Sequence, residues 1–213
     1  MKQFIKSFKV YLASLVDPVC WVIDKKAESV LDVACGLGLP MRKIKSRMKI
    51  KYAVGVDLFK PYLKECQFQK LHNKYICADV RKLPFKEKSF DVVLGLQILE
   101  HLPKQDAWKV LKSLEKIARK QVIISMPIGE KFHPIVDGNK LQLHQSAFLP
   151  EELENLGFKV IKAGRKGFVD DDGIINRFDS NFIKMNLYAI NLIIDALTLL
   201  FPSFANHYFV AYK

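Results

Sequence analysis

The segment 29–40, SVLDVACGLGLP, holds the residues of this 213-residue chain whose types and spacing best fit ligand chemistry. An apolar run leads into Gly36 and Gly38, and an acid, Asp32, lies just before them. Glycines at such a turn adopt positive φ and let the backbone approach a ligand closely. The helix that follows directs unpaired N–H groups towards whatever lies over the turn. The segment predicts a strand–turn–helix unit that binds a ligand, with an ordinary unliganded turn as the alternative.

Other polar residues directly follow apolar runs that read as strands. Asp57 ends the run 52–56 and lies 21 positions after Gly36, near the ~20-residue offset of a carboxylate that bonds ribose hydroxyls. In open α/β sheets ligands bind outside the carboxyl ends of the strands, so these polar residues are predicted to share one edge. The remaining ones are Asp79 after the run 75–78, and Gln97, Glu100 and His101 after the run 91–96.

Apolar runs and amphipathic segments alternate along the chain, which predicts parallel βαβ units with helices on both faces of the sheet. The predicted strands are 29–34, 52–57, 75–78, 90–96, 121–126, 158–163 and 207–212, and the predicted helices are 19–26, 40–48, 61–71, 104–119 and 149–155.

The order Asp32-Val-Ala-Cys-Gly-Leu-Gly38 resembles the D-x-G-x-G-x-G motif of class I S-adenosylmethionine (SAM)-dependent methyltransferases, with Ala34 in place of the first glycine. The nicotinamide fingerprint G-x-G-x-x-G fits less well, because Met41 stands where its third glycine belongs. The resemblance covers 29–160 and is nearest to the type 11 and ubiquinone-biosynthesis-like members. It implies one domain, 1–213, with a doubly wound, Rossmann-like seven-stranded sheet, mostly parallel with an antiparallel last strand.

The resemblance also implies that the chain binds SAM and releases S-adenosylhomocysteine. By matched motif positions, Asp57 would hold the ribose, Asp79 would address the adenine, and Asp32 would lie by the cationic end of SAM. The predicted cofactor-binding residues are Asp32, Ala34, Cys35, Gly36, Gly38, Asp57, Leu58, Asp79, Val80 and Gln97.

The segment 97–101, QILEH, resembles the E-x-x-E-H element of some O-methyltransferases, where two glutamates and the histidine can coordinate a divalent ion. Gln97 replaces the first glutamate, so no metal is expected. His101 is the predicted proton acceptor, since histidine titrates near neutral pH, and His144 is a second candidate. A packing role for His101 and a loop-anchoring role for His144 are the alternatives. Glu100 and His133 are the predicted substrate-binding residues.

Three segments lie outside the minimal pattern: a helical cap at 1–28, a pocket-side loop at 127–150, and a hydrophobic helical insert at 170–206. The apolar core of the insert is shorter than the ~20 residues that span a bilayer. A buried helix, a membrane-surface helix and a pocket wall remain open. We predict a wall beside the acceptor site, formed by Leu187, Ile190, Ile194 and Leu197.

The composition limits the function classes. Half of the residues are apolar, which argues against disorder, and the four cysteines show no C-x-x-C pair, which fits reduced thiols in the cytoplasm. The net charge of +12 would attract nucleic acid, anionic lipid or an acidic substrate. No hydrolase triad, zinc spacing or P-loop is visible, and neither is a secretory signal.

The sequence therefore predicts a cytoplasmic SAM-dependent methyltransferase that acts on a small-molecule or lipid-like acceptor, at oxygen. Peripheral membrane contact through 182–201 is left open, and nucleic acid is the less favoured partner. The alternative is a catalytically silent module of the same fold that binds RNA or a protein partner through its basic surface.

Overall fold

The computed structural model describes residues 17–129, 135, 138–163, 181–201 and 208–213. The predicted cap up to residue 16 and the candidate His133 therefore lie outside the described residues. The helices are α1 (Pro18–Val22), α2 (Leu39–Lys45), α3 (Lys60–Phe68), α4 (Lys104–Ile117), α5 (Pro150–Glu154) and α6 (Asn181–Leu200). The strands are β1 (Ser29–Val33), β2 (Tyr52–Asp57), β3 (Lys74–Cys77), β4 (Phe90–Leu96), β5 (Ala118–Pro127), β6 (Lys159–Ala163) and β7 (Tyr208–Tyr212).

The seven strands form one sheet in the order β3-β2-β1-β4-β5-β7-β6. The neighbours from β3 to β5 pair in parallel, and β7 pairs antiparallel to both β5 and β6. The predicted fold class is thus confirmed, including the antiparallel last strand. The strand order reverses between β1 and β4, which is where ligands bind in sheets of this kind.

Both faces of the sheet are covered, because successive side chains of the central strands point to opposite sides. On β1, Val30 packs with Met41 and Ile44 of α2 on one face. Leu31 and Val33 pack on the other face, in the cluster that includes the apolar side of α4. Met41 is fully buried in this packing, at the position where the nicotinamide fingerprint would require glycine.

Element boundaries differ from the predictions by a few residues, for local reasons. Helix α3 ends at Phe68 and not near 71, because Lys70 takes a left-handed φ of 52°. Strand β5 begins at Ala118 and not at 121, because the chain is already extended where α4 ends. The register between β4 and β5 shifts at these extra residues: Phe90 pairs with Ala118, but Val92 pairs with Gln121.

Helix α6 packs on β6, the outer strand at the end of the sheet opposite β3. No helix among the described residues is both long and apolar enough to span a membrane. Ile190 and Leu197, two of the four residues predicted to form a pocket wall, are about half exposed. The described part of the predicted insert therefore packs three strands away from the carboxyl end of β4, which does not support the pocket wall.

Candidate functional site

A turn at the carboxyl end of β1 forms the centre of the candidate site. Gly36 and Gly38 have φ values of 50° and 77°, and Gly38 is the N-cap residue of α2. Ala34 also adopts a left-handed φ of 56°, so it keeps the backbone shape expected of the glycine it replaces, at a steric cost of about 1 kcal/mol. Gln97, at the end of the neighbouring β4, has a φ of 52°. Such strained positions cluster at functional sites.

Asp57, at the carboxyl end of β2, is held against this turn. Its Oδ2 accepts a hydrogen bond from the Gly36 N–H at 2.8 Å, and its Oδ1 accepts one from the Phe59 N–H at 2.8 Å. Burial raises the pKa of Asp57, although these backbone hydrogen bonds oppose the rise. The helix cap is Phe59 and not Asp57, so the carboxylate faces the turn. Leu58, beside it, is exposed.

Asp32 does not face the open edge of the site as predicted. Its carboxylate is buried, and Oδ2 lies 2.9 Å from Nε2 of His72, whose ring is fully buried. The other ring nitrogen of His72 lies 3.5 Å from Sγ of Cys66 in α3. Burial alone would lower the pKa of His72, but the hydrogen bonds to Asp32 and Cys66 raise it to about 9. The imidazolium thus supplies the countercharge that a buried carboxylate requires.

His72 was not among the predicted site residues, although one residue signals it. Gly55 lies in the middle of the buried strand β2, and a Cβ there would come within 3.1 Å of both the His72 ring and Cys35 Sγ. A glycine inside a buried strand marks such a close approach. Cys35, predicted to bind the cofactor, is buried in this cluster, where its hydrogen bond with Cys66 and burial raise its pKa.

Asp79 caps a short 3-10 turn, Val80–Lys82, after β3. The side chain accepts hydrogen bonds from the Arg81 backbone N–H at 2.9 Å and from the Arg81 guanidinium at 2.5 Å. The Arg81 hydrogen bonds hold the pKa of Asp79 below its usual range. The predicted neighbour Val80 is buried in the core, so its side chain does not face the edge.

A second group of predicted residues comes together after β4. The 3-10 turn Leu99–His101 carries Glu100 and His101, and the backbone O of Glu100 accepts hydrogen bonds from the Gln145 and Ser146 N–H groups at 2.8 and 3.1 Å. These bonds hold the segment after β5 against the turn. They bring the His144 and His101 rings together in an edge-to-face arrangement, with 4.9 Å between the ring centroids.

Glu100 is the buried member of this group. Desolvation by burial raises its pKa to about 8, so the carboxyl group is protonated at neutral pH. Its Oε2 has no hydrogen-bond partner among the described residues. In the amide orientation that satisfies Ser125 and Met126, Gln97 donates to Glu100 Oε1 at 3.3 Å. A neutral amide at position 97 therefore avoids placing a second acid beside the buried carboxyl group of Glu100.

Glu100, His101 and His144 each offer a donor atom, and these atoms lie within 4.8 Å of one another. The group can accept or relay a proton, and the same three donors could hold a divalent cation. The expectation of no metal rested on Gln97 alone and did not foresee the contact with His144. Because the strands are parallel, this group and the turn after β1 lie at the same edge of the sheet.

Comparisons with known proteins agree with this geometry. A family model described as a methyltransferase domain matches residues 31–126. A 24-methylenesterol C-methyltransferase of Arabidopsis thaliana is 33% identical over 91 residues, which cover 38% of this chain and 24% of that protein. A ubiquinone biosynthesis O-methyltransferase of Coxiella burnetii is 26% identical over 121 residues, which cover 55% and 47%. The matches span only 24% to 58% of the first curated relatives.

Among solved structures, a SAM-dependent methyltransferase from Archaeoglobus fulgidus superposes with a TM-score of 0.59 at 19% identity. The likeness covers 95% of this chain and 93% of that one. At this identity the comparison shows a shared fold.

The two glycines of the turn should respond differently to alanine. A Cβ at Gly38 would come within 2.7 Å of Cys66 Sγ and 2.6 Å of Leu71 Cδ1, in addition to the strain of its φ. We expect Gly38→Ala to lower the free energy of unfolding by about 2–4 kcal/mol. Gly36→Ala meets no atom within 4 Å and should lose only the strain term, about 1 kcal/mol. Urea unfolding of both variants measures this, and equal losses would contradict the packing argument.

Glu100→Gln should change how stability depends on pH. The unfolded chain releases the Glu100 proton near its ordinary pKa of 4.5, whereas the folded protein keeps it up to about pH 8. The wild type therefore loses stability as the pH rises across this window. The glutamine variant lacks this loss, so its stability relative to wild type should rise between pH 4.5 and 8, by at most ~5 kcal/mol.

Urea unfolding in EDTA at several pH values measures the difference, with Glu154→Gln as the control. Glu154 lies exposed on α5, so this variant removes a carboxyl group from the surface and not from the interior. If Glu100→Gln and wild type gave parallel profiles, Glu100 would not be a protonated buried acid.

Proposed function

Since the chain belongs to the class I SAM-dependent methyltransferase superfamily, we propose that it binds SAM and transfers the methyl group to an acceptor. The observation that carries the proposal is the pairing of the glycine turn after β1 with Asp57 after β2, joined by the 2.8 Å hydrogen bond from Gly36. This pairing presents bare backbone and a carboxylate on the same side of the crevice where the strand order reverses.

The cofactor would lie across the ends of β1, β2 and β3. Backbone N–H groups donate to both Asp57 oxygens, and a carboxylate has about four acceptor positions, so Asp57 could still accept from the ribose hydroxyls. Asp79, beyond β3, would face the adenine end while Arg81 fixes its orientation. The motif placed Asp32 beside the cationic end of SAM, but its carboxylate faces His72. Asp32 would therefore support the turn and would not contact the cofactor.

The methyl group of SAM is already electrophilic, so this chain's residues need only align donor and acceptor and take one proton. His101 and His144 are partly exposed beside the buried Glu100, at the end of β4. An imidazole there would accept the proton of an acceptor hydroxyl as the oxygen attacks the methyl group. Glu100, being protonated, would orient this pair and would be a weak ligand for a cation.

A lipid-like acceptor is the substrate class we propose. Two of the relatives are named for sterol and ubiquinone chemistry, so apolar acceptors fit this type of domain. The sterol enzyme is named as a C-methyltransferase and the ubiquinone enzyme as an O-methyltransferase. The relatives therefore support the class of acceptor but not which of its atoms is methylated. Methylation at oxygen is supported by the histidine pair, which suits an acceptor that must lose a proton.

The chain, incubated with labelled SAM and a cell extract, should label the lipid fraction rather than RNA or protein.

The silent RNA-binding alternative draws on the net charge of +12. It predicts no transfer of label to any fraction, together with RNA binding that weakens steeply as salt is raised. The same extract experiment therefore separates the two functions.

Asp57→Ala should weaken SAM binding. Loss of hydrogen bonds to a charged group corresponds to about 1.5–3 kcal/mol, or an increase in Kd of about 10- to 150-fold. Isothermal titration with SAM and S-adenosylhomocysteine measures this. Asp24→Ala is the control, because Asp24 precedes β1 at the opposite edge of the sheet. Absence of wild-type binding at millimolar SAM would refute the function, and an unchanged Kd in Asp57→Ala would refute only the role of Asp57.

Replacing His101 or His144 by asparagine should lower kcat for labelling of lipid by about 10²–10⁴-fold, the range for loss of a general base. The Kd for SAM should stay unchanged, because neither histidine is placed against the cofactor. EDTA should leave wild-type kcat unchanged. If EDTA abolished transfer and Mn²⁺ or Mg²⁺ restored it, the three residues would act as cation ligands and not as a base.

A further inference from the structure

Helix α6 presents apolar side chains to water. Its large exposed residues are isoleucines and leucines spaced three, four and three positions apart, so they form one stripe along the helix. The side opposite the stripe carries the buried Asn191. The stripe consists of Ile190, Ile193, Leu197 and Leu200, which are 46%, 61%, 48% and 69% exposed, and Phe201 continues it at 55%.

This distribution inverts the usual pattern, in which the water-facing side of a helix is polar. Single exposed apolar residues are ordinary, but a contiguous apolar stripe marks a surface that another partner covers. The rest of the described chain leaves the stripe exposed, although α6 contacts β6. The stripe also lies away from the predicted acceptor site, so substrate in the crevice would not bury it.

Charge decides between the partners that could cover the stripe. Two copies of a chain with a net charge of +12 repel each other, whereas an anionic lipid surface attracts this protein. Strand β6, which α6 contacts, carries the exposed Lys159 at this end of the sheet. An exposed apolar stripe on a protein with a large positive net charge fits a helix that lies in the plane of an anionic membrane interface.

We propose that α6 docks the protein onto an anionic membrane surface, with the stripe from Ile190 to Phe201 inserted among the lipid headgroups. The helix lies on the surface and does not cross it, in agreement with the absence of a spanning helix among the described residues. The proposal goes beyond methyl transfer and does not depend on it, because lipid docking can be measured on protein that has no SAM bound.

Flotation of the full chain with lipid vesicles tests the proposal. The wild type should float with vesicles of phosphatidylcholine mixed with phosphatidylglycerol. It should float poorly with phosphatidylcholine alone, and raised salt should weaken binding. The double variant Ile193→Glu/Leu197→Glu should bind the anionic vesicles at least about tenfold more weakly. Both positions are exposed, so the variant should keep the wild-type circular dichroism and SAM affinity.

Phe68→Glu is the matched control, because Phe68 is 83% exposed on α3 and loses the same kind of apolar surface elsewhere. It should bind vesicles like the wild type, apart from the small effect of one added negative charge. Equal binding by the double variant and the control would overturn the proposal, as would wild-type protein that fails to float with anionic vesicles. A wild-type dimer in light scattering that the double variant abolishes would also overturn it, in favour of a second copy as the partner.

Discussion

The buried pair of Asp32 and His72 is the interaction on which the candidate site depends. A carboxylate at the end of a central strand, out of contact with water, requires a countercharge, and His72 supplies it from the segment before β3. The ring also reaches Cys66, which connects β1 to α3, and Gly55 leaves the space that it occupies. Gly38 packs directly on Cys66, so the buried cluster supports the turn. Asp57 fixes the same turn through its hydrogen bond from the Gly36 N–H.

Much of the fold could be predicted from the sequence, because its signals are local. A buried parallel strand is a short apolar run, and a glycine pair marks a turn wherever it stands. The runs that end at Asp57 and at Leu96 both form strands as predicted. Helix ends were less predictable, since they depend on single backbone conformations such as the left-handed φ of Lys70. The placement of Asp57, Asp79 and the turn Leu99–His101 at one edge followed from strand direction alone.

What the sequence did not reveal are pairings between distant residues. Asp32 and His72 are 40 positions apart, and no pattern in either segment connects them. The motif placed Asp32 by the cofactor, whereas tertiary packing turns its carboxylate towards the histidine. The burial of Glu100 and its proximity to His144 likewise depend on how the segment after β5 folds back. In α6, a nearly all-apolar composition could not show which side would face water.

The position of β7 between β5 and β6 bears on the order in which the sheet assembles. Among the described strands β7 is the last along the chain, yet it joins β6 to the rest of the sheet. During synthesis, the strands β1 to β5 can pair as they emerge. Strand β6 stays unpaired until β7, its neighbour in the sheet, has been synthesised. The strand order also gives the pairing of β5 with β7 a long sequence separation. The far edge of the sheet, which carries α6, is therefore the part whose folding is most exposed to misassembly.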